Sequence, residues 1–352
     1  MTTSATSEDQ ALRQGWRKAL TTEEVRALLT MRDYRSWFTV AFNWGVIAAA
    51  FAMVAAWPNP LTVILALFLL GGRMLGLAIL MHDASHRALF AGRRVNDWVG
   101  NWLCAYPVWS DLHPYRPYHL QHHGKTGLPE DPDIGLVRPF PISRSSLRRK
   151  IWRDLNGKTG SKFAIAAAQR TFGRFFTDSE ARWAAIGFAT TNLALLGILT
   201  LCGYPLLYLL WVIAWLTTYT LVTRIRSIAE HALTPDPNDP LGNTRTTIAT
   251  PLERLFLAPN RVNYHLEHHL LMTVPHYNLP RMHALLGERG ILDQACVERG
   301  YWKILARASS KGSMNSEGLE EGDANFSSVN GLLSPPEEKT AEQNDSSPEN
   351  RN

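Results

Sequence analysis

Only three cysteines occur in the chain, Cys104, Cys202 and Cys296, far apart and in no CxxC arrangement. Neither a disulfide framework nor a thiolate metal site is suggested, and packing roles are left for all three. A Gly-rich dinucleotide fingerprint is missing, as is any cysteine spacing for haem or an iron–sulfur cluster, so electrons for redox chemistry would have to come from a separate donor. Gly124-Lys125-Thr126 and Gly157-Lys158-Thr159 fail as P-loops, because His119 and Trp152 stand where the first glycine belongs. The metalloprotease pattern HExxH is absent too. Charge is only mildly one-sided, at +5. The basic residues form no single stripe interleaved with aromatics, which argues against a nucleic-acid partner.

Long apolar runs are present. Roughly 20 apolar residues cross about 30 Å of hydrocarbon, and Phe38 to Trp57, Leu61 to Leu80, Trp183 to Cys202 and Pro205 to Thr223 all meet that length. Pro58-Asn59-Pro60 leaves room only for a reversal between the first two, and Gly203-Tyr204 does the same for the second pair. The expected fold class is an all-α membrane protein with four transmembrane helices in two hairpins and a cytoplasmic helical cap. Lys and Arg favour cytoplasmic loops. The segment before Phe38 holds Arg13, Arg17, Lys18, Arg26, Arg32 and Arg35, and the connection from His82 to Arg182 holds many more, while the tight turns hold none. Both termini and that connection are therefore expected on the cytoplasmic side. Arg73 lies inside an apolar run and is expected to face the bundle, since a charge at the bilayer centre costs about 3 kcal/mol.

The expected organisation is a polar cytoplasmic segment at residues 1–37, a membrane domain at 38–308, and a disordered tail at 309–352, where few large apolar residues are available to bury. Lys162 to Trp183 mixes phenylalanines with arginines as an interfacial helix does. Trp98, Trp102, Tyr106 and Trp109 are expected at the membrane interface, lining the site.

All twelve histidines lie between His82 and His283. Eight fall in three clusters, His82-x-x-x-His86, His119-x-x-His122-His123 and His265-x-x-His268-His269. On a helix the i, i+3 and i+4 positions share one stripe, while adjacent residues diverge by about 100°. His122 and His123 can then serve two neighbouring metals with His119 near both, and the same holds for the third cluster. Eight imidazoles exceed what one zinc ion takes, so two metals are implied. Imidazole suits iron, copper, zinc and nickel alike.

The series HxxxH, HxxHH, HxxHH resembles the membrane fatty acid desaturase superfamily over residues 38 to about 290. That superfamily also holds carotenoid ketolases and hydroxylases, alkane hydroxylases and sphingolipid-modifying enzymes. The resemblance implies that His82, His86, His119, His122, His123, His265, His268 and His269 hold two iron ions, with His231 a ninth candidate. It implies O2 as co-substrate, a lipid or fatty-acyl substrate, a ferredoxin- or cytochrome-type donor, and desaturation, with hydroxylation or ketolation of a carotenoid, alkane or sphingoid chain as the alternative. Asp131 and Asp133, in a stretch that recurs in relatives, are expected to support ligands or order their loop. Asp83, Glu230 and Glu267 lie beside ligands. Helix geometry turns Asp83 and Glu267 off the ligand stripe, towards supporting or solvent-facing roles. His113, His276 and His283 are expected to be structural.

Overall fold

The computed structural model describes residues 15–311. The expected tail falls almost wholly outside them. Thr21 opens a short helix, α1 (Thr22–Leu29), through a capping box with Glu24. The first long helix, α2 (Asp33–Ala56), stops where Trp57 precedes Pro58, a position that disfavours helical backbone. Asn59 then caps α3 (Pro60–Ser85), with Pro60 in its first turn.

At 26 residues α3 is about 39 Å long, so its C-terminal turn extends beyond a hydrocarbon layer of about 30 Å. Every residue from Leu70 to Ser85 is buried, which makes α3 the central helix. Its neighbours come very close. A Cβ on Gly71 would sit 2.4 Å from Thr218 Oγ1, and one on Gly76 would sit 2.1 Å from Asn43 Oδ1.

After α4 (Arg93–Val99) the chain widens into a π turn and then tightens through a 3-10 turn to Trp109, which has left-handed backbone at φ 62°. Helices α5 (Leu112–Lys125), α6 (Arg144–Leu155) and α7 (Lys158–Gly173) follow, then the third long helix, α8 (Ser179–Leu201). The fourth apolar run departs from a single continuous helix. It breaks at Thr217 (φ −121°, ψ −83°) into α9 (Tyr208–Leu216) and α10 (Thr218–His231), and α10 runs past the expected end at Thr223 to deliver His231.

The remainder is short: β1 (Thr246–Ile248), α11 (Pro251–Phe256), α12 (His265–Leu270), α13 (Leu279–Glu288), β2 (Val297–Arg299) and α14 (Tyr301–Ala308). The β1–β2 parallel pair and one isolated antiparallel bridge, Thr246 to Tyr264, are the β-structure among the described residues. Four helical spans among them are long and apolar enough to cross a membrane: Asp33–Ala56, Pro60–Ser85, Ser179–Leu201 and Pro205–His231.

Arg73 is buried as expected and donates to the backbone carbonyls of Arg254 and Leu255. The segment before Phe38 has an apolar side as well as its charges. Trp16, Leu20 and Leu28 pack against Leu266, Leu270, Met282 and Leu286, beneath the third histidine cluster.

Candidate metal centre

Four elements deliver the nine imidazoles. His82 lies on the last turn of α3 and His86 caps it, α5 carries His119, His122 and His123, His231 ends α10, and α12 carries His265, His268 and His269. They assemble into two groups. His82, His86, His119, His123 and His268 form the first; His122, His231, His265 and His269 form the second, and within each group the ligating atoms lie within 4.8 Å of one another.

The division follows the helical period. Positions i and i+4 are about 40° apart around the axis, whereas i+3 falls about 60° to the other side. His119 and His123 therefore enter the first group and His122 the second. On α12 the assignment is reversed, with His265 and His269 in the second group and His268 in the first. Adjacent histidines part as expected, but His119 is not shared: it faces His123, at 3.0 Å between Nε2 atoms, and belongs to the first group alone.

The nitrogens suit cations. His123 Nε2 lies 3.1 Å from His268 Nε2, His265 Nε2 lies 3.0 Å from His269 Nε2, and His265 Nε2 lies 2.8 Å from His231 Nε2. Nitrogens bound at about 2.0–2.1 Å around one ion stand roughly 3.0–3.4 Å apart. Outside the spanning segments, burial pushes His86, His119, His123, His265, His268 and His269 well below the ordinary imidazole value, which favours the neutral, ligating form. His82 Nε2, both ring nitrogens of His86 and His265 Nδ1 are buried with no hydrogen-bond partner. For His82 and His86, both of the first group, an unpaired buried nitrogen has a physical reason if a cation sits among that group.

Carboxylates hold the rings from behind. Asp131 Oδ1 accepts from His122 Nδ1 at 2.8 Å, and the same side chain accepts from the Gly127 and Asp133 amides. Burial lowers the proton affinity of His122, but this hydrogen bond and the Asp131 charge outweigh it, leaving the value raised. The grouping of His122 with Asp131 and Asp133 is thus a hydrogen-bonded support rather than a third metal site. Asp133 accepts from Tyr118 Oη at 2.6 Å, and burial raises its carboxyl against the opposing pull of His122.

Asp83 and Glu267 do point off the ligand stripe, yet neither meets solvent. Asp83 joins His82 Nδ1 to His276 Nδ1, at 3.0 Å to each. Glu267 accepts from His283 Nδ1 at 2.6 Å and from Thr246. Glu230 pairs with Arg226 and lies 3.4 Å from His265 Nε2. The Asp83–His276 contact escaped the sequence reading because no local spacing links residues 193 positions apart. The same holds for Thr126, whose hydroxyl meets His269 Nδ1 at 3.2 Å.

A cavity of ≈ 60 Å³ adjoins both groups, walled by Leu75, Ile79, Tyr115 and Tyr118. It is large enough for a few water-sized molecules. Trp98, Trp102, Tyr106 and Trp109 do not line it, contrary to expectation: the first three border a separate groove of ≈ 420 Å³ with His113 and Glu180, and Tyr106 and Trp109 pack on Phe188 of α8.

Residues 58–298 match the family model for fatty acid desaturase. The chain belongs to the fatty acid desaturase family. It is an oxidoreductase, and its long apolar helices agree with the membrane association of that family. The chain is 30% identical to the dihydrorhizobitoxine desaturase of Bradyrhizobium elkanii, over 68% of its own length and 72% of that protein's. It is 23% identical to an sn-1 oleoyl-lipid 12-desaturase of Picosynechococcus, over 74% and 78%. A shorter match, 34% identical over 86 residues, or 24% and 21% of the two chains, joins it to a beta-carotene 4-ketolase of Protosiphon botryoides.

Proposed function

We propose that this desaturase-family oxidoreductase introduces a carbon–carbon double bond into the fatty-acyl chain of a lipid, using O2 and two histidine-held iron ions. The observation that carries the reading is the meeting of nine imidazoles in two adjacent groups. One iron would be held by His82, His86, His119, His123 and His268, and the other by His122, His231, His265 and His269. When bound, the pair supplies the O2 activation needed to remove hydrogen from an unactivated methylene group.

The chain's own residues do the remaining work. Asp131 orients His122, Asp83 orients His82, and Glu230 sets a negative charge beside His265, each limiting how far its ring can turn. Leu75 and Ile79 give the cavity an apolar patch beside its polar and charged lining, and a hydrocarbon segment can approach along that patch. Removal of two hydrogens, with two electrons from a separate ferredoxin- or cytochrome-type donor and two protons, reduces O2 to two waters. Position specificity then rests on how the chain is held, a matter of proximity and shape.

In the membrane we assign two helical hairpins, with both termini, the site and the helical cap on the cytoplasmic side. The excess of Lys and Arg before Phe38 and between His82 and Arg182 supports that orientation.

The match to a ketolase favours a second reading, hydroxylation or ketolation of a carotenoid, alkane or sphingoid chain. Expression in a host lacking the protein, beside His122→Ala, followed by mass spectrometry of total lipids, separates the two. A lipid lighter by two hydrogens that is absent with the variant supports desaturation. Gain of one oxygen supports hydroxylation, and no lipid change despite bound iron and supplied reductant overturns the acyl-lipid assignment.

A further inference from the structure

A second groove, of ≈ 870 Å³, opens on the flank of the molecule between the first turns of α2 and the segment from Pro251 to Arg261. Arg35, Arg73, Arg254 and Arg261 line it, and no carboxylate does. We propose that this groove binds the phosphate headgroup of an anionic glycerophospholipid in the surrounding leaflet.

Three observations carry the proposal. First, the positive charge is uncompensated. Arg73 is 2% exposed, and its guanidinium meets only neutral partners, the Arg254 and Leu255 carbonyls and Asn43 Oδ1, while its Nε has none. A buried cation without a counter-ion is costly, and an anion in the groove would offset that cost. Arg35, Arg254 and Arg261 form no ion pair with any described carboxylate; Arg35 instead donates to Tyr34 Oη and lies over the Tyr277 ring.

Second, the backbone is held to keep Arg261 there. Asn260 and Arg261 both adopt left-handed conformations, at φ 53° and 65°, which non-glycine residues rarely do. Asn260 is pinned in that state by accepting from Asn43 Nδ2 at 2.9 Å and donating to the Gly76 carbonyl at 2.7 Å. Strain sustained by surrounding contacts is a feature of ligand clamps.

Third, the depth is right for a headgroup. Tyr34 and Phe38, 64% and 71% exposed at the start of a membrane-length helix, carry aromatic rings where the bilayer meets water. Guanidinium forks match phosphate oxygens in pairs, and basic pockets between membrane helices recognise lipid phosphates by that geometry.

The full chain, purified in detergent, is incubated with phosphatidylglycerol or phosphatidylcholine, and retained lipid is counted by native mass spectrometry. Phosphatidylglycerol is expected to be retained about tenfold or more over phosphatidylcholine. Arg254→Gln with Arg261→Gln should lose that preference, whereas Arg254→Lys with Arg261→Lys should keep most of it. Metal content, read in parallel, reports that the altered protein is folded. Equal retention of the two lipids by the unaltered protein overturns the proposal without any variant, and so does full retention by the Gln pair. Displacement of the lipid by inorganic phosphate at equal concentration would reassign the groove to a soluble phosphate. Lipid retention does not depend on turnover, so its failure is distinguishable from a failure of the desaturase reading.

Discussion

Replacing Asp131 with Asn tests whether the carboxylates behind the histidines govern metal retention. Asp131 is buried and accepts three N–H groups: His122 Nδ1 at 2.8 Å, the Gly127 amide at 2.8 Å and the Asp133 amide at 2.9 Å. Asparagine has one oxygen for these three donors, so at least one N–H must face the new NH2 group. A hydrogen bond to a charged acceptor contributes about 1.5–3 kcal/mol. Loss of such support behind a ligating histidine costs 10–100-fold in metal affinity or activity, or about 1.4–2.8 kcal/mol. The two estimates agree. Chelator competition read by elemental analysis should show the second group, which contains His122, losing its metal at 10–100-fold lower chelator while the first group keeps its own. Asp133→Asn is the internal comparison. Its carboxylate lies 3.7 Å from His122 Nδ1, beyond hydrogen-bonding distance, and should matter less. Unchanged competition in Asp131→Asn, or a larger effect from Asp133→Asn, would refute the reasoning.

Removing His231 as His231→Ala should lower the metal-to-protein ratio from about two towards one, since only the second group loses a nitrogen; a ratio unchanged under chelator challenge would show that His231 does not ligate. Asp154→Asn should destabilise the protein by about 3–5 kcal/mol, because Arg224 Nη2 donates to a fully buried Asp154 at 2.9 Å and the substitution removes that buried negative charge; thermal unfolding in detergent measures it. The metal-free protein should lose stability on acidification. His86, His119, His123, His265, His268 and His269 have folded values depressed below the unfolded one by burial, so the unfolded chain takes up protons first. Their contribution is complete above about pH 6.5 and falls below it, by up to about 1.4 kcal/mol per pH unit for each group. A melting temperature flat from pH 7 to 5 would contradict this, as would one that rises. Gly71→Val should impair folding or expression, since its Cβ would meet Thr218 at 2.4 Å; expression at the unaltered level would show that α3 and α10 can separate.

The sequence by itself determined whatever depends on local period and length. Four apolar runs of bilayer length, a proline-flanked reversal after Trp57 and histidines spaced for one helical face are all properties of short segments. They sufficed to expect a helical membrane protein with a two-metal site. Tertiary structure decided the rest. Which histidine of α12 joins His119 and His123, and which join His122, depends on where α12 lies against α5, and that contact joins residues more than 140 positions apart. The burial of Asp83 against His276 and the carbonyl cradle around Arg73 rest on the same kind of long-range packing. The α-helical period fixes the angles between neighbouring side chains to within a few tens of degrees. It carries no information about which partner helix those side chains will meet, because that choice is made when the surfaces of distant helices close-pack.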